Sequence, residues 1–146
     1  MSAPGVSATV VQLDGRSKAF RPLPVADRVA ALRAGVTAYT RGDYFLAHEL
    51  LEPAWMGSDD PLERSFTQGL IKLAAADVHR VRGNAKGLVR NLEGAADRLR
   101  SAATAGYVPL IALDGACIAS DVERRLTAAR LGRDPGPMDL GLAGLP

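Results

Sequence analysis

Gly42-Asp43-Tyr44-Phe45-Leu46-Ala47-His48-Glu49-Leu50-Leu51-Glu52 is the stretch on which the fold turns. Glycine adopts the left-handed conformation that stops a helix, and an aspartate directly after it caps the next helix through its carboxylate, so Gly42-Asp43 marks a bend between two helices. Upstream, Val25, Val29, Leu32, Val36 and Tyr39 recur at spacings of four and three residues, one apolar stripe on a helix that ends near Arg41. Downstream, a second helix runs from about Tyr44 to Trp55. A kink or early stop is expected at Pro53, which lacks an amide donor and crowds the carbonyl of Glu49. The two helices make an antiparallel hairpin.

The same punctuation repeats down the chain. Asp60-Pro61-Leu62-Glu63 supplies a cap, a proline at the first helical position and an early glutamate, which starts a third helix bearing Leu62, Phe66, Leu70, Leu73 and Val81. Gly83 breaks it and Asn84 caps a fourth helix striped by Leu88, Leu92, Ala95 and Leu99, with Gly106 and Pro109 after its end. Asp114 caps a fifth, in which Ile118, Val122, Leu126 and Ala129 recur before Gly132. No stretch shows sustained period-two alternation of β-branched and aromatic residues. The fold class is therefore all-α, an up-and-down array of about five helices in antiparallel hairpins without a sheet. Residues 1–22 form an irregular N-terminal extension, 23–133 a single helical domain, and 134–146, with Pro135, Gly136 and Pro137, an irregular C-terminal tail.

A chain of 146 residues is long enough for one well-covered core and short for two domains. Eighteen basic against sixteen acidic residues leave a net charge of +2, which excludes a polybasic arm or a histone-like tail. The bases lack interleaved aromatics, of which the whole chain has seven, and this argues against nucleic-acid binding. No apolar run is long enough to cross a bilayer and no secretory leader is evident, so the protein is expected to be soluble and cytoplasmic. A lone Cys117 excludes an internal disulfide and a multi-cysteine zinc site; beside Ile118 it is expected to be a small core residue.

Two ionisable residues break the apolar pattern of the second helix. At about 100° per residue, His48 and Glu52 project into an arc that also holds Tyr44, Phe45, Leu51 and Trp55. Leu46 and Leu50 lie opposite, so this helix is apolar almost all round and is expected to be central and most buried. A buried carboxylate needs a partner, and His48, one turn before Glu52, is the local one. On the third helix, Ser65, Gln68, Lys72, Ala75 and His79 share a polar face. If the two faces meet, they line a cleft suited to a small ligand or a metal; periodicity does not say whether they do. Asp77 projects into the leucine arc of the third helix, which requires either a rotated helix or a basic partner.

Several chemistries fit these residues. His48 and Glu52, four apart, can reach one ion, and His79 would complete a two-histidine, one-carboxylate set for Zn, Mn or Fe. Glu49 would then serve as general base of a metal-dependent, hydrolytic enzyme, although the fourth position after His48 is Glu52 rather than the histidine of zinc proteases. The plainer alternative is a buried His–Glu hydrogen bond that fixes packing. At the start of the fourth helix, His79, Arg80, Arg82, Asn84 and Lys86 surround free amides, and Gly87 allows close approach of an anion or phosphate. Gly35, Ala47 and Ala54 around the first turn resemble one tetratricopeptide unit, but no second copy follows about 34 residues later.

The run from Gly42 to Glu52, then Trp55, Gln68-Gly69-Leu70-Ile71, His79, Gly83-Asn84 and Gly87-Leu88, resembles the bacterial and archaeal family catalogued as domain of unknown function 309, over roughly residues 27 to 126. The resemblance implies a small all-helical domain without an established activity. It also implies that His48, Glu49, Glu52, Trp55, Gln68, His79 and Asn84 are signature positions. Pro53 and Asp77 depart from the family pattern. The combined expectation is a non-enzymatic ligand-binding or structural interaction domain, with ligand candidates His48, Glu52, Trp55, Gln68, His79 and Asn84 and a His–Glu cluster buried between the second and third helices. No cofactor is expected except a divalent metal under the enzyme alternative. The partner is open, self-association included.

Overall fold

Five helices follow one another as α1 (Val25–Thr40), α2 (Tyr44–Met56), α3 (Pro61–Val81), α4 (Ala85–Thr104) and α5 (Gly115–Arg130) in the computed structural model, which describes residues 8–11 and 17–141. Each packs against its neighbour in sequence, the up-and-down arrangement expected of short connections. None of these helices is long and apolar enough to cross a membrane.

The helix starts follow from their caps. Asp43, Asp60, Asn84 and Asp114 each accept a hydrogen bond from an amide in the first turn of the following helix, at 3.4, 2.9, 3.0 and 3.0 Å. The stops at Gly42 and Gly83 have φ of 81° and 73°, which a side chain would strain. Pro53 does not end α2, which continues to Met56; the proline ring is on the exposed side.

Among the described residues, sheet structure enters only in the N-terminal extension, where the sequence suggests irregular chain. Strands β1 (Ala8–Val11) and β2 (Ser17–Phe20) pair antiparallel with Ala8 opposite Phe20. Neither Ala-Thr-Val-Val nor Ser-Lys-Ala-Phe alternates strictly between apolar and polar residues, so periodicity gives no strand signal. The chain then runs along the end of α2, where the amides of Arg21 and Leu23 donate to the carbonyls of Met56 and Gly57 at 2.9 and 3.1 Å. The C-terminal tail is irregular as far as residue 141, yet Leu140 is buried and Met138 packs against the core.

The most buried helix is α3, not α2. Glu63, Arg64, Ser65, Thr67 and Asp77 are buried on it together with Phe66, Leu70, Ile71 and Leu73, because it lies between α2 and α4. On α2 only Ala47, Leu51 and Ala54 are buried, while Phe45 is 61% and Leu46 42% exposed. The buried stripe thus lies about 100°, one residue, round from the His48–Glu52 line. Close approach of α1 explains the rotation. A Cβ on Gly35 would come within 2.5 Å of Leu51 Cγ and 3.5 Å of the Ala47 carbonyl oxygen. Small residues let the two helices meet along this line, and the larger Phe45 and His48 stay off it. Val81 of α3 is exposed, as is Cys117, whose amide lies in the first turn of α5 while its neighbour Ile118 points into the core.

Ion pairs staple the array. Arg28 of α1 donates through Nε to Glu63 Oε2 of α3 at 2.7 Å. Arg64, fully buried, donates through Nη1 to the carbonyls of Trp55 and Ser58 at 3.0 and 2.9 Å and lies 5.0 Å from the Trp55 ring centre, which holds the α2–α3 loop.

Candidate functional site

The outer face of α2 gathers three possible metal ligands. His48, Glu49 and Glu52 each offer one ligand atom, and these atoms lie within 4.8 Å of one another. His48 Nδ1 stands 3.5 Å from Glu49 Oε1. His48 and Glu52 are half-buried and Glu49 is exposed, so the cluster borders on water instead of lying in the core. The rotation of α2 toward Ala47 and Leu51 is the cause. Phe45, exposed, lies one turn before Glu49 on the same face. Ligands about 2.1 Å from a zinc-sized ion stand at most roughly 4.2 Å apart, so small rotamer adjustments would bring these three atoms onto one cation.

The polar face of α3 does not meet this cluster; it forms a seam with α4. Ser65 Oγ donates to the Arg98 carbonyl at 3.2 Å, and Gln68 Oε1 accepts from Arg98 Nε at 3.0 Å. Lys72 crosses Gly94 and His79 crosses Gly87, where an added Cβ would fall 2.6 Å from Lys72 Cδ and 2.5 Å from the His79 ring. Lys72 and His79 are seven residues apart on one helix, as are Gly87 and Gly94 on the other, so two glycine notches receive two long side chains in antiparallel register. His79 Nδ1 is also 3.1 Å from Asn84 Nδ2.

Two expectations are corrected by this arrangement. The His–Glu cluster is not buried between α2 and α3. His79 does not complete a metal set with His48 and Glu52: the group of adjoining ligands contains Glu49 in its place. Trp55 and Gln68 are each engaged by an arginine, Arg64 and Arg98. At the start of α4, Gly87 is already engaged. The Gly87 amide donates to Asn84 Oδ1, and the space that glycine leaves is filled by the His79 ring.

A larger ionic cluster lies where Asp77 meets α5. Asp77 has no exposed surface and accepts from Tyr39 Oη at 2.5 Å, Arg80 Nε at 2.8 Å, and Arg125 Nη2 and Nη1 at 2.6 and 3.2 Å. Arg80 donates further to Tyr44 Oη at 3.2 Å, and the Tyr39 and Tyr44 rings meet edge-on at 5.0 Å. Burial, reinforced by the Asp77 charge, pushes the Tyr39 hydroxyl far above the usual phenol range, so it stays a donor. Desolvation opposes the charge of Arg80, but the hydrogen bond and charge of Asp77 outweigh it and raise its pKa. The basic partner anticipated for Asp77 is therefore a pair of arginines. A sequence signal for Arg125 exists: it stands three residues after Val122 and seven after Ile118, a cation on the apolar stripe of α5.

The signature positions, from Gly42 through His48 and Glu52 to Gly83 and Asn84, now have places in one three-helix unit with the start of a fourth. Residues 32–91 match the model of DUF309, a domain of unknown function. The chain resembles DUF309 from Leu32 in α1 to Asn91 in α4, a narrower span than the signature suggested. No curated protein and no solved structure matches it. The DUF309 stretch contains His48, Glu49, Glu52, His79 and Asp77; α5, Arg125 and the C-terminal tail lie beyond it.

Proposed function

We propose that this DUF309-like chain is a non-enzymatic binding domain that holds a divalent cation on the outer face of α2 through His48, Glu49 and Glu52. The observation that carries the proposal is the mutual 4.8 Å span of one imidazole and two carboxylate ligand atoms. A mixed nitrogen and oxygen set suits Zn, Mn or Fe. A ligand set drawn from one helix face leaves the remaining coordination positions to water or to a group on a partner. The hydrolytic alternative required His79 as a ligand and Glu49 as a free base. Glu49 instead adjoins His48, where its carboxylate offers a third candidate ligand atom, and His79 is engaged with Asn84 and Gly87.

Titration calorimetry on tag-free, chelator-treated protein with Zn2+, Mn2+ and Fe2+ tests the assignment. One equivalent should bind, with a rise in melting temperature that His48→Ala and Glu52→Gln abolish and His79→Ala retains. Absence of binding by all three ions, or binding that survives His48→Ala, would remove the proposal.

A further inference from the structure

The outward line of α2 has a regular spacing. Phe45, Glu49, Glu52 and Met56 stand at i, i+4, i+7 and i+11, within an arc of about 60° on the helix. Residues so spaced form the seam along which one helix seats against another in a coiled pair. Among the described residues nothing covers this seam. The side of α2 that packs on its neighbours α1 and α3 carries Ala47, Leu51 and Ala54, whereas Phe45 is 61% exposed, Leu46 beside it is 42% exposed, and Glu49 and Pro53 are exposed as well.

The seam reads the same in both directions, apolar at its ends and carboxylate at its centre. A second α2 laid antiparallel about a two-fold axis at the midpoint therefore sets Phe45 on Met56 of the second copy and Glu49 opposite Glu52 of the second copy. An aromatic ring against a thioether is a favourable contact. Four carboxylates gathered at the axis repel one another, and two divalent cations, one per chain, bring the four positive charges that balance them. The seat is also small. A helix of 13 residues is about 20 Å long and 10 Å across, an outer face of roughly 200 Å2, far below the roughly 800 Å2 per partner of a stable interface. The apolar ends alone do not hold two copies together, and the cations decide whether they pair.

We propose that the cation site on α2 is completed by a second copy of this chain, which pairs antiparallel through α2. The inference rests on the cation reading of His48, Glu49 and Glu52. These three residues of one copy hold each ion, and a carboxylate of the other copy supplies a further ligand. A carboxylate has two oxygens, so Glu52 can hold the ion of its own chain with one and that of the second copy with the other. Three ligands from one chain and a fourth from its partner fill the tetrahedron of a zinc ion. Without the cation the carboxylates repel and the chain is a monomer.

Sedimentation velocity of the tag-free, chelator-treated full chain, with and without Zn2+ or Mn2+, tests the pairing, with calorimetry reporting the ions bound. The chain should be a monomer in chelator, a dimer with one ion per chain, and a monomer again when chelator is returned. Phe45→Ser, at an exposed position outside the ligand set, should still take up one ion per chain and self-associate at least tenfold more weakly. A chain that binds one ion and stays monomeric would overturn the pairing and leave the cation site standing, its remaining positions filled by water. Failure to bind either ion would remove both. A dimer that persists in chelator, or one that Phe45→Ser leaves equally tight, would overturn the pairing as well.

Discussion

Replacing Asp77 by leucine is the sharpest test of how this fold tolerates charge in its core. The carboxylate accepts from Tyr39, Arg80 and twice from Arg125, and none of it reaches solvent. Arg80, whose side chain is 15% exposed, can turn outward when its partner is removed; Arg125, at 6%, cannot, and keeps only the Gly136 carbonyl. Stranding one member of a buried ion pair costs about 3–5 kcal/mol, a large part of the roughly 5–15 kcal/mol that holds a domain together. At about 3 °C per kcal/mol for a chain of this size, the melting temperature should fall by roughly 9–15 °C. Urea unfolding followed by far-UV circular dichroism and by the fluorescence of Trp55, the single tryptophan, measures the loss. Adding Arg125→Met should restore most of it, because apolar groups replace a buried ion pair at little net cost. The remaining deficit should be about 1–3 kcal/mol from the Tyr39 hydroxyl left without its acceptor, and Tyr39→Phe should reduce it. A single-variant loss below about 1 kcal/mol, or a double variant as unstable as the sum of its parts, would refute the account.

The glycine notches, a cap and a surface ion pair give three further expectations. Gly69→Ala places a Cβ 2.7 Å from Leu99 Cγ, which is fully buried, and should cost about 1–3 kcal/mol. Gly94→Ala meets the bendable Lys72 stem, with Arg98 Nη1 at an ordinary contact distance of 3.5 Å, and should stay within about 0.5 kcal/mol of wild type or gain from helix propensity; chemical denaturation showing the reverse order would contradict the notch geometry. Asn84→Ala removes the 3.0 Å cap of α4 and the contact to His79, and should lower stability by about 1 kcal/mol in the same assay, with no change excluding a capping role. The Arg100 hydrogen bond holds the Glu123 carboxyl below its ordinary pKa despite some opposing desolvation, so its contribution is present above the unfolded glutamate value and is lost as pH falls through the folded one. Glu123→Gln should flatten that part of the acid limb, salt should narrow the difference because the pair is exposed, and coincident pH profiles would count against it.

Local signals in the chain carry much of this architecture. Asp43, Asp60, Asn84 and Asp114 each satisfy amides within three residues, and Gly42 and Gly83 stop helices by their own backbone freedom, so element order and approximate bounds need no knowledge of the rest of the molecule. The DUF309 likeness was equally legible because it rests on residue types at set spacings. Facing was not. Helix α2 is apolar on nearly every side, so periodicity offers several equivalent burial arcs, and the contact of Gly35 with Leu51 and Ala47 selects among them. That choice moved His48 and Glu52 to the rim and brought Glu49 to them. On α3, the polar face seen in the sequence is real but belongs to α4, whose Gly87 and Gly94 make room for His79 and Lys72.

Charge in the core marks the same division. Asp77 on an apolar arc announced that a cation must be near, since an unpaired buried carboxylate is prohibitively costly. Nothing local named Arg125, 48 residues away, or the Gly136 carbonyl that shares it. The sequence by itself determined where helices begin, end and carry apolar stripes, because those depend on hydrogen bonds and sterics among near neighbours. Only the tertiary structure decided how each helix turns about its own axis and which distant groups meet, because those depend on close packing between surfaces that no stretch of chain contains alone.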